Sequence, residues 1–532
     1  MAQEETTEAG GDETTTTEAV AEGEPVEGGE ITVAVESETN SYLPGAYGGT
    51  QAGTNVALAV YDPLMQRDEN GDVQPYLAES LEANEDLTQY TLTLREGVLF
   101  HDGTPLDAEA IKYAFDNHLK VDGATSSGAL RDVDSVTVVD DLTVTYDLSQ
   151  PNATLPDLLT GQAGWPFSPT AAEALGEDFG SQPVGTGPFK FVSYTRDDSF
   201  VAERFEDYWQ EGLPYLDRIT FRPIPDEESR LAAFESGDID AVHSVRLSGF
   251  GTQVRALGDV EVYEGPGNSG SGAIFNVEVP PVDDVRVRRG LSLALDQGAL
   301  IDVIAGSPEA AEIRNQYFSE TSPFYSEAVA EAWPTDDPEA AQALLDEYVN
   351  DPERSDGKAV GDPISVEFNC PPDPSLIELS QAYQAFWQAI GVDVKLNSVE
   401  QATHITNAIT EKFMINCWRM GGEGDPYPEL NNAFGPPSEQ PLNFTNYSSP
   451  TIDEQLDILR ESTDLDERKA AVEAIGLEMD EQVPYLWTGS TAVLIGSTPN
   501  LNNIAGWTNP GGEKGNGIAD AVTRWSQVWM EQ

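Results

Sequence analysis

The sequence predicts an α/β protein built from more than one domain, on three observations. Strand-like and helix-like runs alternate between residues 364 and 419, the pattern of βαβ units with parallel strands. Residues 87–150 read differently, as short period-two strands joined by turns. The chain is also 532 residues long, more than one hydrophobic core ordinarily serves, so two or three domains are expected.

In chain order, residues 1–30 are rich in acids, hold no base and offer no large apolar cluster. Such a segment cannot offset its ordering entropy by burial and is expected to be a disordered acidic tether. It has no apolar h-region, so it does not read as a signal peptide itself. No run of about 18 apolar residues proposes a membrane span. "GEITVAVES" reads as a first strand and "ETNSYLPGAYGG" as the Gly-rich loop after it. In "QYTLTL", Tyr90, Leu92 and Leu94 share one face, and "VTVVDDLTVTYDL" is a hairpin turning at Asp140-Asp141. Between them Asp107 caps a helix with Ile111, Ala114, Phe115 and Leu119 inward. Residues 185–240 read as strand, aromatic-rich turn, strand, a helix over 227–236 and a further short strand. A single helix is expected over 283–305, capped by Asp283 or Asp284, and another over 337–348 with Asp337 as cap and Pro338 at its first position. Then come strand 364–370, helix 375–390 stopped by Gly391, strand 392–399, helix 401–411, strand 413–419, and helices over 451–461 and 466–481.

Acids outnumber bases 94 to 27, a net charge of −67. That field repels nucleic acid and anionic lipid, so neither is expected as a partner. The acids are spread along the chain, as on a solvated surface in a salty medium.

Few motifs propose chemistry. His101-Asp102 in "LFHDGTPLDAEA" invites an acid–base reading, but it falls in a turn between strand and helix, where adjacent side chains point apart. "GPGNSG" at 265–270 has dinucleotide-loop spacing, yet a β-like run follows it and Pro266 removes an amide donor. The four histidines show no metal-ligand spacing. No catalytic residue, metal or cofactor is expected. Cys370 and Cys417 each end a β-like run. If those strands are neighbours their ends can be bridged; two buried thiols is the alternative.

The stretch "CWRMGGEGDPYPELNNAF", 417–434, says more. A strand ends in Trp418-Arg419 and a Gly-rich loop follows, and such loops at the carboxyl ends of parallel strands hold ligands in open α/β sheets. A guanidinium beside an indole can grip a carboxylate while the ring covers apolar surface. The bland alternative makes Trp418 core and Arg419 the partner of a nearby acid.

Several blocks in order carry a resemblance: "YLAESLEANEDLTQYTLTLREGVLFHDGTPLDAEAIKYAF", "GTGPFK" with "RFEDYW", "ESGDIDAV", "DDVRVRRGLSLALD", "NYSSPTIDEQLDIL" and "DERKAAVEAIGLEMDEQVPYLW". From about residue 30 onward the chain resembles the extracellular solute-binding proteins of the peptide/nickel/opine class, bacterial family 5, which feed ABC importers. The resemblance implies an α/β three-domain clamshell of the type II periplasmic-binding-protein kind. Lobe I would be 31–62, 184–271 and 495–532, an extra domain II 63–183, and lobe III 272–494, with "GPGNSGSGAIFN" at a hinge crossing. It implies a monomer that captures a small solute or short peptide and passes it to an ABC permease, exported to the periplasm or cell surface on a lipidated cysteine N-terminal to this sequence. Ligand-facing residues would be Trp418, Arg419, Glu423 and Asp425 of lobe III, Tyr42 of lobe I, Ser269 and Ser271 at the hinge, and Trp165 of domain II. In peptide-binding members an aspartate three residues before the Asp-Pro pair grips the ligand amine. Here that place is Gly422, so either Glu423 substitutes or the ligand lacks an amine there. A nickel–metallophore, opine or oligosaccharide ligand, a surface receptor and a periplasmic hydrolase are the other readings.

Overall fold

The computed structural model describes residues 24–39, 41–46, 50–118, 130–245, 249–265, 267, 270–305, 311–320, 322–372, 374–422, 424–438, 440, 442–491 and 493–531. Among them the strands gather into two large sheets and a four-stranded one, with two small ribbons.

The first sheet has seven strands in the order Glu261–Gly265, Val493–Ser497, Ala241–Ser244, Glu30–Val35, Arg218–Pro223, Ser199–Arg204 and Phe189–Thr195. Glu30–Val35 lies parallel to both Arg218–Pro223 and Ala241–Ser244. The ordered body starts slightly before the expected tether end. Glu30 is already in the sheet, Gly28 N–H donates to the Tyr215 carbonyl at 2.8 Å, and Gly29 N–H donates to Asp217. Residues 1–23 of the expected tether lie outside the described residues.

The second sheet has six strands in the order Ala311–Ile313, Tyr485–Thr491, Gly270–Phe275, Ile415–Met420, Ser365–Cys370 and Asp393–Ser398. Ser365–Cys370 is parallel to both Asp393–Ser398 and Ile415–Met420, as strand–helix alternation requires. The register pairs Asn369 with Asn416, so the next residues along, Cys370 and Cys417, are neighbours. They are joined as a disulfide with 5.3 Å between Cα atoms. Helix Pro374–Ala389 packs on this sheet through Tyr383 and Trp387, both meeting Phe368 edge-on. Trp387 Nε1 donates to the Leu291 carbonyl at 2.9 Å, so the largest core side chain leaves no polar atom stranded.

The four-stranded sheet runs Ala78–Ala83, Gln89–Leu94, Thr143–Leu148, Val133–Asp140. Tyr90, Leu92 and Leu94 are buried on one face against Ile111 and Phe115 of helix Ala108–His118, which Asp107 caps by accepting from Ala110 N–H. Leu119, expected on the same face, lies outside the described residues. The His-Asp turn is structural. His101 Nε2 donates to the Gly187 carbonyl at 2.8 Å, and Asp102 accepts from Thr104 and Ser168. Burial lowers the His101 imidazole to about 4, so it is neutral packing that docks this domain on the first lobe.

Two expectations need correction. The run 283–305 is two helices, Val285–Leu293 and Gln297–Ala305. The break at 294–296 arises because Asp296 starts the second helix by accepting from Ala299 N–H, while the Leu295 carbonyl turns away to Asp336 N–H and Thr335 Oγ1. The return to the first sheet also comes before residue 495, because Val493 already pairs with Gly265.

Candidate ligand-binding cleft

Both connections between the large sheets lie side by side. Gly265 pairs with Val493 in the first sheet and Gly270 pairs with Ser490 in the second. The "GPGNSG" glycines therefore serve a crossing. Just beyond it, a Cβ at Gly272 would collide with the Leu486 carbonyl, so the strand leaving the crossing needs glycine to lie this close to its neighbour. Arg314 ties the crossing down, its guanidinium donating to the carbonyls of Gly267 (3.4 Å), Gln316 (3.2 Å) and Tyr317. At this same edge end the parallel strands Ser365–Cys370, Asp393–Ser398 and Ile415–Met420. The carboxyl edge of an open sheet beside an interlobe crossing is where a solute can touch both bodies.

The sequence-predicted residues fall into separate groups there. Ser271 and Arg419 are register partners across antiparallel strands, so they share one face, and Arg419 is exposed. Trp418 points to the other face, because neighbours on a strand alternate. It stacks on His404 at 5.6 Å and meets Phe444 edge-on at 5.0 Å. His404 Nε2 donates to the Cys417 carbonyl, and burial holds its pKa below the usual value. The indole and guanidinium therefore cannot jointly cover one ligand group. Tyr42 is buried, packed against Phe200 at 4.8 Å and Tyr194 at 5.8 Å, with its carbonyl accepting from Tyr61 Oη. Trp165 is buried and stacked on the same Tyr61. Those two meet around Tyr61 in the first lobe. Ser269 and Glu423 lie outside the described residues.

Asp425 caps helix Pro426–Phe434, accepting from Tyr427 N–H at 2.9 Å, and Arg468 Nη2 donates to both its oxygens at 2.6 Å. Its own N–H donates to Asp157 Oδ2 at 3.1 Å, and Asp157 is ion-paired with Arg67. Two residues of the four-stranded-sheet region thus reach the loop of the second lobe. Asp425 is committed on every side.

The carboxylate the sequence reading missed is Glu429. A Cβ at Gly422 would sit 2.6 Å from Glu429 Cδ and 2.7 Å from each of its oxygens, so Glu429 fills the space a side chain at 422 would use. Tyr317 Oη donates to Glu429 Oε2 at 2.9 Å, and burial together with that carboxylate keeps the phenol far above its ordinary pKa. Glu429 was within reach of sequence reasoning, since Asp425 and Pro426 mark a helix start and Glu429 lies one turn in, under the preceding loop. Tyr317, Arg67 and Asp157 carry no local signal; only the tertiary fold brings them to the loop.

Residues 72–440 match the family described as bacterial extracellular solute-binding proteins, family 5. The glutathione-binding protein GsiB of Salmonella paratyphi A is 33% identical over 254 residues, 47% of this chain and 48% of that protein, so the chain spans about half the length of that relative. GsiB of Pectobacterium atrosepticum is 26% identical over 466 residues, 84% of this chain and 86% of that protein. Among solved structures, the periplasmic binding protein DppA of Helicobacter pylori in complex with peptide STSA superposes with a TM-score of 0.80 at 20% identity, covering 95% of this chain and 99% of that one.

Proposed function

The chain belongs to the bacterial extracellular solute-binding proteins of family 5, and from that premise we propose that it captures a short peptide or a glutathione-like solute between its two lobes. It then hands the solute to an ABC permease. The observation that carries the reading is the Glu429 carboxylate seated over Gly422, three residues along the chain from the exposed Arg419 beside Ser271. An acid and a guanidinium at one sheet edge suit a ligand that bears both an amine and a carboxylate. The glutathione-binding relatives support the same chemistry. In this reading Arg419 and Ser271 take a ligand carboxylate, and Glu429, positioned by Tyr317, takes the amine. The protein acts as a binder and not a catalyst: His101 and Asp102, its most enzyme-like pair, are each committed to scaffold hydrogen bonds. The lobe I, domain II and lobe III division, export on a lipid anchor and a monomeric state go with the proposal.

Native mass spectrometry of protein purified from cells tests it. A co-purified peptide or thiol-peptide mass is expected, and added reduced glutathione or di- to pentapeptides should raise the melting midpoint, as any native-state ligand does. Retention of only a metal chelate or a carbohydrate, with no response to peptides, would overturn the assignment.

A further inference from the structure

A separate polar cavity lies where the four-stranded-sheet domain meets the second lobe. Its volume is about 290 Å³, at the lower end of small-molecule sites. One wall comes from 131–132 and 150–158, the other from helices Pro426–Phe434 and Pro450–Glu461. Two hydrogen bonds stitch the walls together: Ala153 N–H donates to the Arg460 carbonyl at 2.7 Å, and Arg460 Nη1 donates to the Pro151 carbonyl at 3.2 Å.

The two buried charged residues of the walls, Asp132 and Arg460, are already hydrogen-bonded, and Arg131, Asp453 and Asp457 complete the charged lining. Asp132 accepts from Gln150 at 2.7 Å and Asn152 at 2.8 Å, while Arg460 Nη2 donates to Asp457 at 2.7 Å and Glu461 at 2.8 Å. A charged ligand would have to break those pairs, and leaving one member buried alone costs far more than a neutral contact gains. The cavity is also lined by Asn431, Asn432 and Gln440, three residues with amide side chains, and by Tyr427 and Leu456. An amide presents donors and an acceptor without net charge. Adjacent hydroxyl groups on a carbon skeleton offer the same pairing, and the skeleton's C–H face suits a ring and a leucine.

We propose that this cavity binds a neutral polyhydroxylated solute of monosaccharide size, independently of the ligand in the interlobe cleft. Because its two walls belong to different bodies, occupancy favours their docked arrangement through the ligand's differential affinity for it.

The test uses the full chain, with D-glucose, D-xylose and myo-inositol as probes and glycine betaine as a charged control. Saturation-transfer NMR and the melting midpoint are read at millimolar concentration, since molar polyols stabilise proteins without binding. A saturable response to at least one probe, none to betaine, and at least tenfold weaker binding in Asn431→Ala and Asn432→Ala are expected. Asn432 is exposed, so its variant keeps the test valid if Asn431→Ala fails to fold. No saturable response to any probe, or binding unchanged in Asn432→Ala, would overturn the proposal.

Discussion

The two lobes meet the crossing with different chemistry. On the first, Tyr42, Tyr61 and Trp165 are buried and hold one another, so the aromatic groups near the cleft are frame. On the second, Arg419 stays exposed, Ser271 lies opposite it, and a glycine loop leaves room for a carboxylate borrowed from the following helix. In the proposed site the charged groups lie where the backbone is glycine-rich, because there they approach the edge without being sealed under rings. An aromatic near a cleft is a weaker sign of ligand contact than a missing side chain.

The difference can be broken from either side. Trp165→Ala should have the largest effect, destabilising the protein by roughly 3–5 kcal/mol as deletion of a buried indole does, with ligand affinity of the folded protein unchanged. Chemical denaturation and calorimetric titration of the same variant check both halves; a large affinity loss at normal stability would move Trp165 into the site. Arg419→Ala should do the reverse, costing about 2–5 kcal/mol of binding with little change in the unfolding midpoint of the empty protein. Glu429→Gln should weaken amine-bearing ligands about tenfold or more while leaving N-acetylated ones unaffected, so the ratio of the two affinities is the readout.

The contrast also shows how far sequence reasoning reached. Periodicity made the parallel strands, the hairpin and the helix caps legible, because Asp107, Asp337 and Gly391 act locally. It ran two helices together at 283–305, since the break depends on Thr335 and Asp336, residues some 40 positions away in the chain. At the site, Arg419 was legible from the strand end and Ser271 only through the family's hinge crossing; that the two stand opposite each other follows from the strand register alone. The joint role given to Trp418 and Arg419 was not available, because strand alternation sends them apart. Glu429 was hidden by attention to the loop alone, although the turn after it was readable.

Two further effects concern the second lobe and the tail. Asp480 is buried in the second lobe, and neither carboxylate oxygen has a hydrogen-bond partner. Desolvation raises its pKa from 3.8 to about 8, against the weaker pull of Arg289. Its folded pKa is above the unfolded one, so the contribution is full below about pH 4 and is lost as pH rises towards 8. Stability should fall across that window with a slope approaching about 1.4 kcal/mol per pH unit, and Asp480→Asn should flatten it in denaturation curves taken at several pH values. Removing residues 1–23 should be the mildest change, leaving stability within about 0.5 kcal/mol. Extending the deletion through Gly29 removes the hydrogen bonds to Tyr215 and Asp217 and should lower the midpoint measurably.

Capture between the lobes changes the size of the molecule, and small-angle scattering reads that change. Arg67, Asp157 and Arg460 join the smaller domain to the second lobe, and a solute touching both lobes should favour their approach across the crossing. With a midpoint-raising peptide or reduced glutathione at saturation, a smaller radius of gyration than for the empty protein is expected, with a reduced difference in Arg419→Ala at the same ligand concentration. An identical radius with and without saturating ligand would contradict capture between the lobes.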